Sequence, residues 1–500
     1  MMSPRREKIS AVDTAWLRMD RPGNLMMICG VLVFGERVRF ARVARIIKER
    51  FCKFERFQQR PVQRPGGAYW ENAPNFSIDA HLERVSLAGR AGTAELQALV
   101  SRLASTPLDP TQPLWQFHLV ENFDGGSALI VRIHHCYADG IALVRVMMSM
   151  TDAAANGPPA MPFETTPRPD RDNDADDPLA HLLAPLSGVM TIVRKLGTTI
   201  VEKGAEIWDD PTKAVALAEQ GSALTAEIAT LALMPQDSPT RFKGTPGGTK
   251  RVAWAEPIPL DEVKAIGKAL AASVNDVLLS CVAGALRGYL VDKGDATEDL
   301  MIRALVPVNL RPLEKAYRLG NQFGLVFLDL PIGIENPVAC LYAVRANMTA
   351  LKGSYQPILA LGLLAAMGAG PKMLQEQLLH ALSRNASAVM TNVPGPSQPL
   401  YFAGAKIERF LFWVPQSGDI GMGVSILSYN GQVQFGLITD RDLCADPERV
   451  MERFGAEFEK LVLTTLLAPW PRDGDLDPTE AEMRLAYIAE LSPRDPVILA

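Results

Sequence analysis

The stretch AAANGPPAMPFETTPRPDRDNDADDP, Ala153 to Pro178, constrains this chain more than any other segment. It is dense in Pro and Asp and carries no apolar period, so it has nothing with which to build a core and reads as a linker. A linker at this place divides 500 residues into a first unit of about 150 and a longer second part, as expected when a single core stops growing near roughly 250–300 residues. Residues 179–234 alternate apolar and polar positions at helical spacing, with one break at Asp209-Asp210-Pro211, and 235–250 is a second loop rich in Pro and Gly. The expected division is 1–152, a linker with bridging helices over 153–250, a second unit over 251–470 and a tail over 471–500.

On both sides of the linker, short apolar runs alternate with amphipathic ones. Residues 25–34 (LMMICGVLVF) read as a buried strand, and Val43, Ile46, Ile47 and Phe51 repeat at helical spacing after Phe40. A second helix is expected over 95–106, and strands over 113–121 and 127–135 flank the turn signal Phe123-Asp124-Gly125-Gly126. In the second half, 260–270 and 272–289 read as helices, and 301–309, 323–330, 409–414, 422–428 and 432–438 as strands. Helix–strand mixing in both halves without a Gly-rich phosphate loop predicts an α/β (α+β) fold and argues against a nucleotide-binding sheet.

A hydrophobic fraction of 48% against 21% charged residues leaves enough apolar surface for two cores. The net charge of −5 provides no basic field, so nucleic acid is not an expected partner. Six scattered cysteines without a CxxC pair predict a reducing, cytoplasmic compartment. Met1 to Arg21 mixes charges of both signs and holds no signal-peptide core. The longest apolar stretches, 357–370 and 182–193, fall short of the roughly 18–20 residues that a membrane span needs.

Chemistry concentrates in Arg132-Ile133-His134-His135-Cys136-Tyr137-Ala138-Asp139-Gly140, where an apolar strand ends and a helix with Ile141, Val144, Met147 and Met148 begins. Successive strand side chains point to opposite faces, so one of the two histidines is expected to serve structure and the other chemistry. A metal centre would need further ligands, and opposed faces make shared coordination awkward; no metal is expected. Two satisfied core histidines, or a neutral imidazole acting as general base, both remain open on the local pattern.

His134-His135-Cys136-Tyr137-Ala138-Asp139-Gly140 resembles the HHxxxDG motif of coenzyme A-dependent acyltransferases. Asp13-Thr14-Ala15-Trp16-Leu17, Pro113-Leu114-Trp115, Asn275-Asp276 and Asn392-Val393-Pro394-Gly395-Pro396 are similar to ordered elements of the bacterial wax ester synthase/diacylglycerol acyltransferases, and the resemblance runs from about residue 10 to about 465. It implies two chloramphenicol-acetyltransferase-like domains, each a mixed sheet with flanking helices, and a tunnel between them. It also implies transfer of a long-chain acyl group from acyl-CoA, as co-substrate, to diacylglycerol or a fatty alcohol, with no other cofactor. On this carry-over His135 is the base, free to meet a hydroxyl in an interior cleft, with His134 in support. Asp139 then holds the loop by pairing with a basic residue, and Gly140 allows a tight turn or close approach of a ligand.

One base suffices for attack of an alcohol on a thioester, provided a donor meets the developing oxyanion. Asn275 and Ser425 are candidates, Asn275 equally as a cap of the helix that starts near Ser273. Pro113-Leu114-Trp115 fits a core role, Thr391 to Pro396 a rigid turn, and Cys136, in its apolar setting, an inert thiol. Two other functions stay open: a carrier-dependent or polyketide-type acyltransferase of the same fold, and an inert lipid-binding protein. The amphipathic stripes of 179–234 suggest peripheral contact with the inner membrane or a lipid-body surface.

Overall fold

A computed structural model describes residues 6–155, 157–161, 234–311, 319–352 and 354–467. The bridging helices, most of the Pro/Asp linker and the tail lie outside the described residues. Helices and strands are numbered below in chain order among the described residues.

Two mixed sheets and one small hairpin sheet organise the chain. The first large sheet has the order β13 (Tyr401–Phe402), β14 (Ala405–Trp413), β2 (Met27–Phe34), β7 (Gly126–His134), β6 (Trp115–Phe123) and β5 (Leu82–Val85). Only β5–β6 is parallel in it. The second runs β11 (Phe323–Leu330), β10 (Ile302–Asn309), β12 (Ala388–Pro394), β15 (Met422–Tyr429), β16 (Gln432–Asp440) and β8 (Lys250–Trp254), with β9 (Ile258–Pro259) also on β16. The small sheet joins β1 (Glu7–Lys8), β4 (Gly67–Asn72) and β3 (Gln59–Arg64).

The strands expected from apolar runs form, because β2 and β7 are buried at every position and need no alternation. The division at residue 250 is not clean, however. Strands β13 and β14, which lie late in the chain, complete the first sheet, β14 by pairing with β2 and β13 by pairing with β14, so the second part of the chain lends structure to the first unit. The segment Thr391 to Pro396 is also more than a turn: β12 continues through Pro394 before the chain bends, and a Cβ at Gly395 would come within 2.4 Å of the Ser428 carbonyl.

Helix α1 (Ala11–Met19) is held by α8 (Gln356–Ala369) and α9 (Lys372–Arg384). Arg18 donates to the Gly368 and Gly370 carbonyls at 3.1 and 2.9 Å, and Gln375 donates to Ala15 at 2.8 Å. Gly368 lets the two helices touch, since a Cβ there would overlap the Ala11 carbonyl. The exposed edge of β8 is closed by α3 (Thr93–Ala104) and its C-cap: Ser101 and Ser105 accept from the Val252 and Lys250 amides at 2.8 and 2.7 Å.

Helix α6 (Val274–Asp292) is long and apolar enough to cross a bilayer by length and composition, yet 67% of its apolar window is buried in the second core. Ser273 and Asp276 form its capping box, at 3.1 and 2.8 Å. The cap is therefore theirs, and Asn275 does not supply it.

Candidate active site

Strand β7 delivers both histidines. Its register sets His134 opposite Met27, and its last residues are pinned from two sides: the His134 amide donates to the Leu114 carbonyl at 2.9 Å and the His135 amide to Met26 at 2.8 Å. Pro113-Leu114-Trp115 thus acts through its backbone, while the Trp115 indole is buried, donating to the Phe57 carbonyl at 2.7 Å.

The His135 ring is 5% exposed and stacks on Trp16 with centroids 4.2 Å apart; Phe323 tilts against it at 5.7 Å. The imidazole therefore does not stand free in an open cleft, because two apolar rings cover it. Burial pulls its pKa down to about 4, although the carboxylate of Asp139 works in the opposite sense. The ring is neutral near pH 7, the protonation state a base requires, and its Nδ1 has no hydrogen-bond partner among the described residues.

The loop after His135 is clamped by the second half of the chain. Asp139 caps α4 (Gly140–Met150) through the Ala142 amide at 3.0 Å and accepts from Arg311 at 2.8 Å and from the Gln322 amide at 3.1 Å. Both partners of this ion pair are buried. Asn321 bridges further, donating to the His135 carbonyl at 2.8 Å and to Asp13 at 2.7 Å. Asp13 in turn accepts from Ser10, and burial raises its pKa to about 6.

Gly140 borders open space. It has no positive φ, and a Cβ there would meet nothing within 4 Å, so its bareness serves room rather than a turn. That room is an apolar cavity of about 50 Å³ between the halves, lined by Gly140 and Met147 of α4, Ile133 of β7, Phe412 of β14, Val393 of β12 and Leu427 of β15. Ser425, two residues before Leu427, shares its face; the hydroxyl is buried and without a partner among the described residues. Asn275 instead accepts from Asn392 at 2.5 Å, tying the start of α6 to the end of β12. Cys136 is fully buried and its thiol is pushed well up, which removes the thiolate a covalent route would need.

Sequence reasoning did not single out Arg311, Asn321 and Phe323, and it gave Trp16 no role beside His135. Arg311 and Asn321 lie just after one apolar strand and just before the next, where buried polar side chains are worth suspecting. Trp16 carried its signal within Asp13-Thr14-Ala15-Trp16-Leu17.

Two facing lobes of mixed sheet with flanking helices define a fold that condensation domains also have. The first condensation domain of the calcium-dependent antibiotic synthetase shares it, with a TM-score of 0.57 and 13% identity over 92% of this chain and 96% of that one. The wax ester synthase/diacylglycerol acyltransferase from Marinobacter aquaeolei VT8 shares it too, with a TM-score of 0.64 and 21% identity, covering 92% of this chain and 100% of that one. The model of the wax ester synthase/diacylglycerol acyltransferase catalytic domain matches residues 9–278, and that of the WS/DGAT C-terminal domain matches 319–462. The chain belongs to this acyltransferase family. Among curated relatives, one from Mycobacterium tuberculosis named as a diacylglycerol O-acyltransferase is 27% identical over 450 residues, 86% of this chain and 91% of the relative. Another so named, from Mycobacterium bovis, is 28% identical over 489 residues, 93% and 92% of the two chains.

Proposed function

We propose that this acyltransferase moves a long-chain acyl group from acyl-CoA to the hydroxyl of diacylglycerol or of a fatty alcohol, with His135 as general base. The observation that carries this reading is a buried imidazole at the end of β7, its Nδ1 without a partner among the described residues, one short loop away from the apolar cavity that Gly140 borders. The imidazole takes the hydroxyl proton as the oxygen attacks the thioester carbonyl carbon; the C–S bond then breaks and the leaving thiolate takes that proton. Asp139, bound to Arg311 and to the start of α4, positions the loop and does not itself exchange protons. Ser425 is one oxyanion-donor candidate, since its hydroxyl has no partner among the described residues; Asn275 is the other, because its bond to Asn392 engages Oδ1 as acceptor and not its amide N–H.

Entry of either substrate requires Trp16 and Phe323 to part from the imidazole. The chemistry needs no cofactor beyond acyl-CoA as co-substrate. A cytoplasmic enzyme acting at the inner membrane or a lipid-body surface fits such acceptors, and sedimentation with liposomes tests that contact. The decisive assay incubates the protein with labelled palmitoyl-CoA and a mixture of hexadecanol and dioleoylglycerol. Wax ester or triacylglycerol is expected from the wild type and neither from His135→Ala, and a well-folded His135→Ala variant of full activity overturns the proposal.

A further inference from the structure

Asp13, on α1, is a buried carboxylate that the transfer of an acyl group does not itself consume. It forms no ion pair among the described residues, in contrast to Asp139, which Arg311 holds at 2.8 Å. Its donors are neutral: the Ser10 hydroxyl at 2.7 Å, the Asn321 amide at 3.1 Å and the Asn321 side-chain nitrogen at 2.7 Å. Burial raises its pKa to about 6, so at neutral pH the group is ionised and can only accept. A carboxylate without a counter-charge is costly to bury, and its place calls for a reason beyond packing.

Two of those bonds come from one residue. The main chain around Asn321 is already fixed against the loop after His135: Gly320 donates to the Tyr137 carbonyl at 3.0 Å and accepts from the Asp139 amide at 3.3 Å, and the Gln322 amide donates to the Asp139 carboxylate at 3.1 Å. These bonds leave the Asn321 side chain free to rotate. Asp13 removes that freedom, because a group that only accepts admits the nitrogen end of the amide and repels the oxygen end. The same nitrogen then donates to the His135 carbonyl at 2.8 Å. Since the His135 amide is bound to Met26 at 2.8 Å, its main chain is held on both sides just where β7 ends. One turn along α1, Trp16 lies on the imidazole itself at 4.2 Å. Main chain held at both peptide groups sets the direction in which the ring leaves it, and a displacement of about 1 Å at a reacting group can cost roughly a hundredfold.

We propose that Asp13 is a positioning residue for acyl transfer: it turns the Asn321 side chain onto the His135 carbonyl and so sets the direction of the imidazole, without touching substrate. The inference rests on His135 being the general base. An amide can serve in place of the carboxylate, since in Asp13→Asn the side-chain oxygen still faces Asn321 while the NH2 group turns to the Ser10 oxygen. In Asp13→Ala the Asn321 side chain is released, while the main-chain bonds of 320–322 remain.

The test measures kcat, KM and Tm of the full-length protein with palmitoyl-CoA and either hexadecanol or dioleoylglycerol. The variants are Asp13→Ala, Asp13→Asn, Asn321→Ser and the double variant Asp13→Ala with Asn321→Ser, alongside His135→Ala. Asp13→Ala and Asn321→Ser should each lower kcat about tenfold or more with KM within roughly threefold, and Asp13→Asn should keep at least about a third of the wild-type kcat. The double variant should fall within roughly threefold of the weaker single one, because both remove the same constraint. Ring ¹⁵N resonances of His135, assigned by their loss in His135→Ala and read without turnover, should move in Asp13→Ala and Asn321→Ser and stay near their wild-type positions in Asp13→Asn. Additive losses, a change in KM alone, a fall in Tm with kcat intact, unmoved His135 resonances, or an Asp13→Asn as poor as Asp13→Ala would each overturn the proposal. If Asp13→Ala does not fold, Asn321→Ser decides, and full activity there overturns it. An active His135→Ala strikes the reading of the base, whereas an inactive His135→Ala beside a fully active Asn321→Ser strikes this inference alone.

Discussion

His134 and His135 are neighbours in sequence, share one chemistry and are both buried, yet the two faces of β7 give them different surroundings. His134 has Nδ1 engaged with the Cys136 amide and faces the Asp20 carboxylate at 3.9 Å. His135 has Nδ1 unengaged, lies under Trp16, and has its carbonyl held from the other half of the chain by Asn321. Burial neutralises both rings, so protonation does not separate them. The difference lies in which atoms are already spoken for, and only His135 follows the cavity-lining Ile133 at the two-residue spacing of one strand face.

The sharpest way to break this comparison is to exchange the losses. His135→Ala should lower acyl transfer by roughly 100- to 10,000-fold, the usual worth of a general base, while His134→Gln should cost far less. Equal losses in initial-rate assays would show that the pair acts as one unit. Next in size is the clamp: Arg311→Met strands a buried carboxylate and should destabilise the protein by about 3–5 kcal/mol, read as a drop in the urea midpoint. An unchanged midpoint would mean that Asp139 is held by its backbone donors alone.

Gly140→Leu should project into the cavity and cut the initial rate at least tenfold with little change in Tm, since a side chain there meets open space first. A fully active variant would place the acyl or acceptor chain elsewhere.

The smallest effect concerns pH. His118, His134 and His135 have folded pKa values of about 4, 3 and 4, below the ordinary 6.5, so the unfolded chain binds their protons first and stability is lost as pH falls from 6.5 towards 4. Asp13, raised to about 6, opposes them because its folded carboxyl takes up a proton before the unfolded one does. His81 is lowered by burial as well, and Asp20 and Asp237 are raised with Asp13; four histidines against three carboxyls leave an expected net loss. Urea midpoints at pH 7 and 4.5 should show it, with a shallower slope in His134→Gln.

Much of the first half was legible because short apolar-rich runs such as 25–34 and 127–135, bounded by Gly and turn signals, read as buried strands, and because His134-His135 interrupts one of them at its end. The opposed faces followed from strand geometry alone. What could not be read was long-range pairing. Nothing near Arg311 states that its partner is Asp139, and nothing in 405–413 states that it pairs with β2 rather than with its neighbours. Such choices are made by packing between segments hundreds of residues apart. Helix α1 went unread for a related reason: its apolar stripe is short, and its value comes from α8 and α9.

The exchange of β14 into the first sheet also bears on how the protein is made. Until residues 405–413 have left the ribosome, β2 has one edge without a partner, and a nascent first lobe presents bare amides and carbonyls flanked by valine and leucine. Residue 413 must be made before that lobe can close, so a chaperone that shields the waiting edge, or a truncation that removes the late strands, should decide yield in the cell more than any contact at His135.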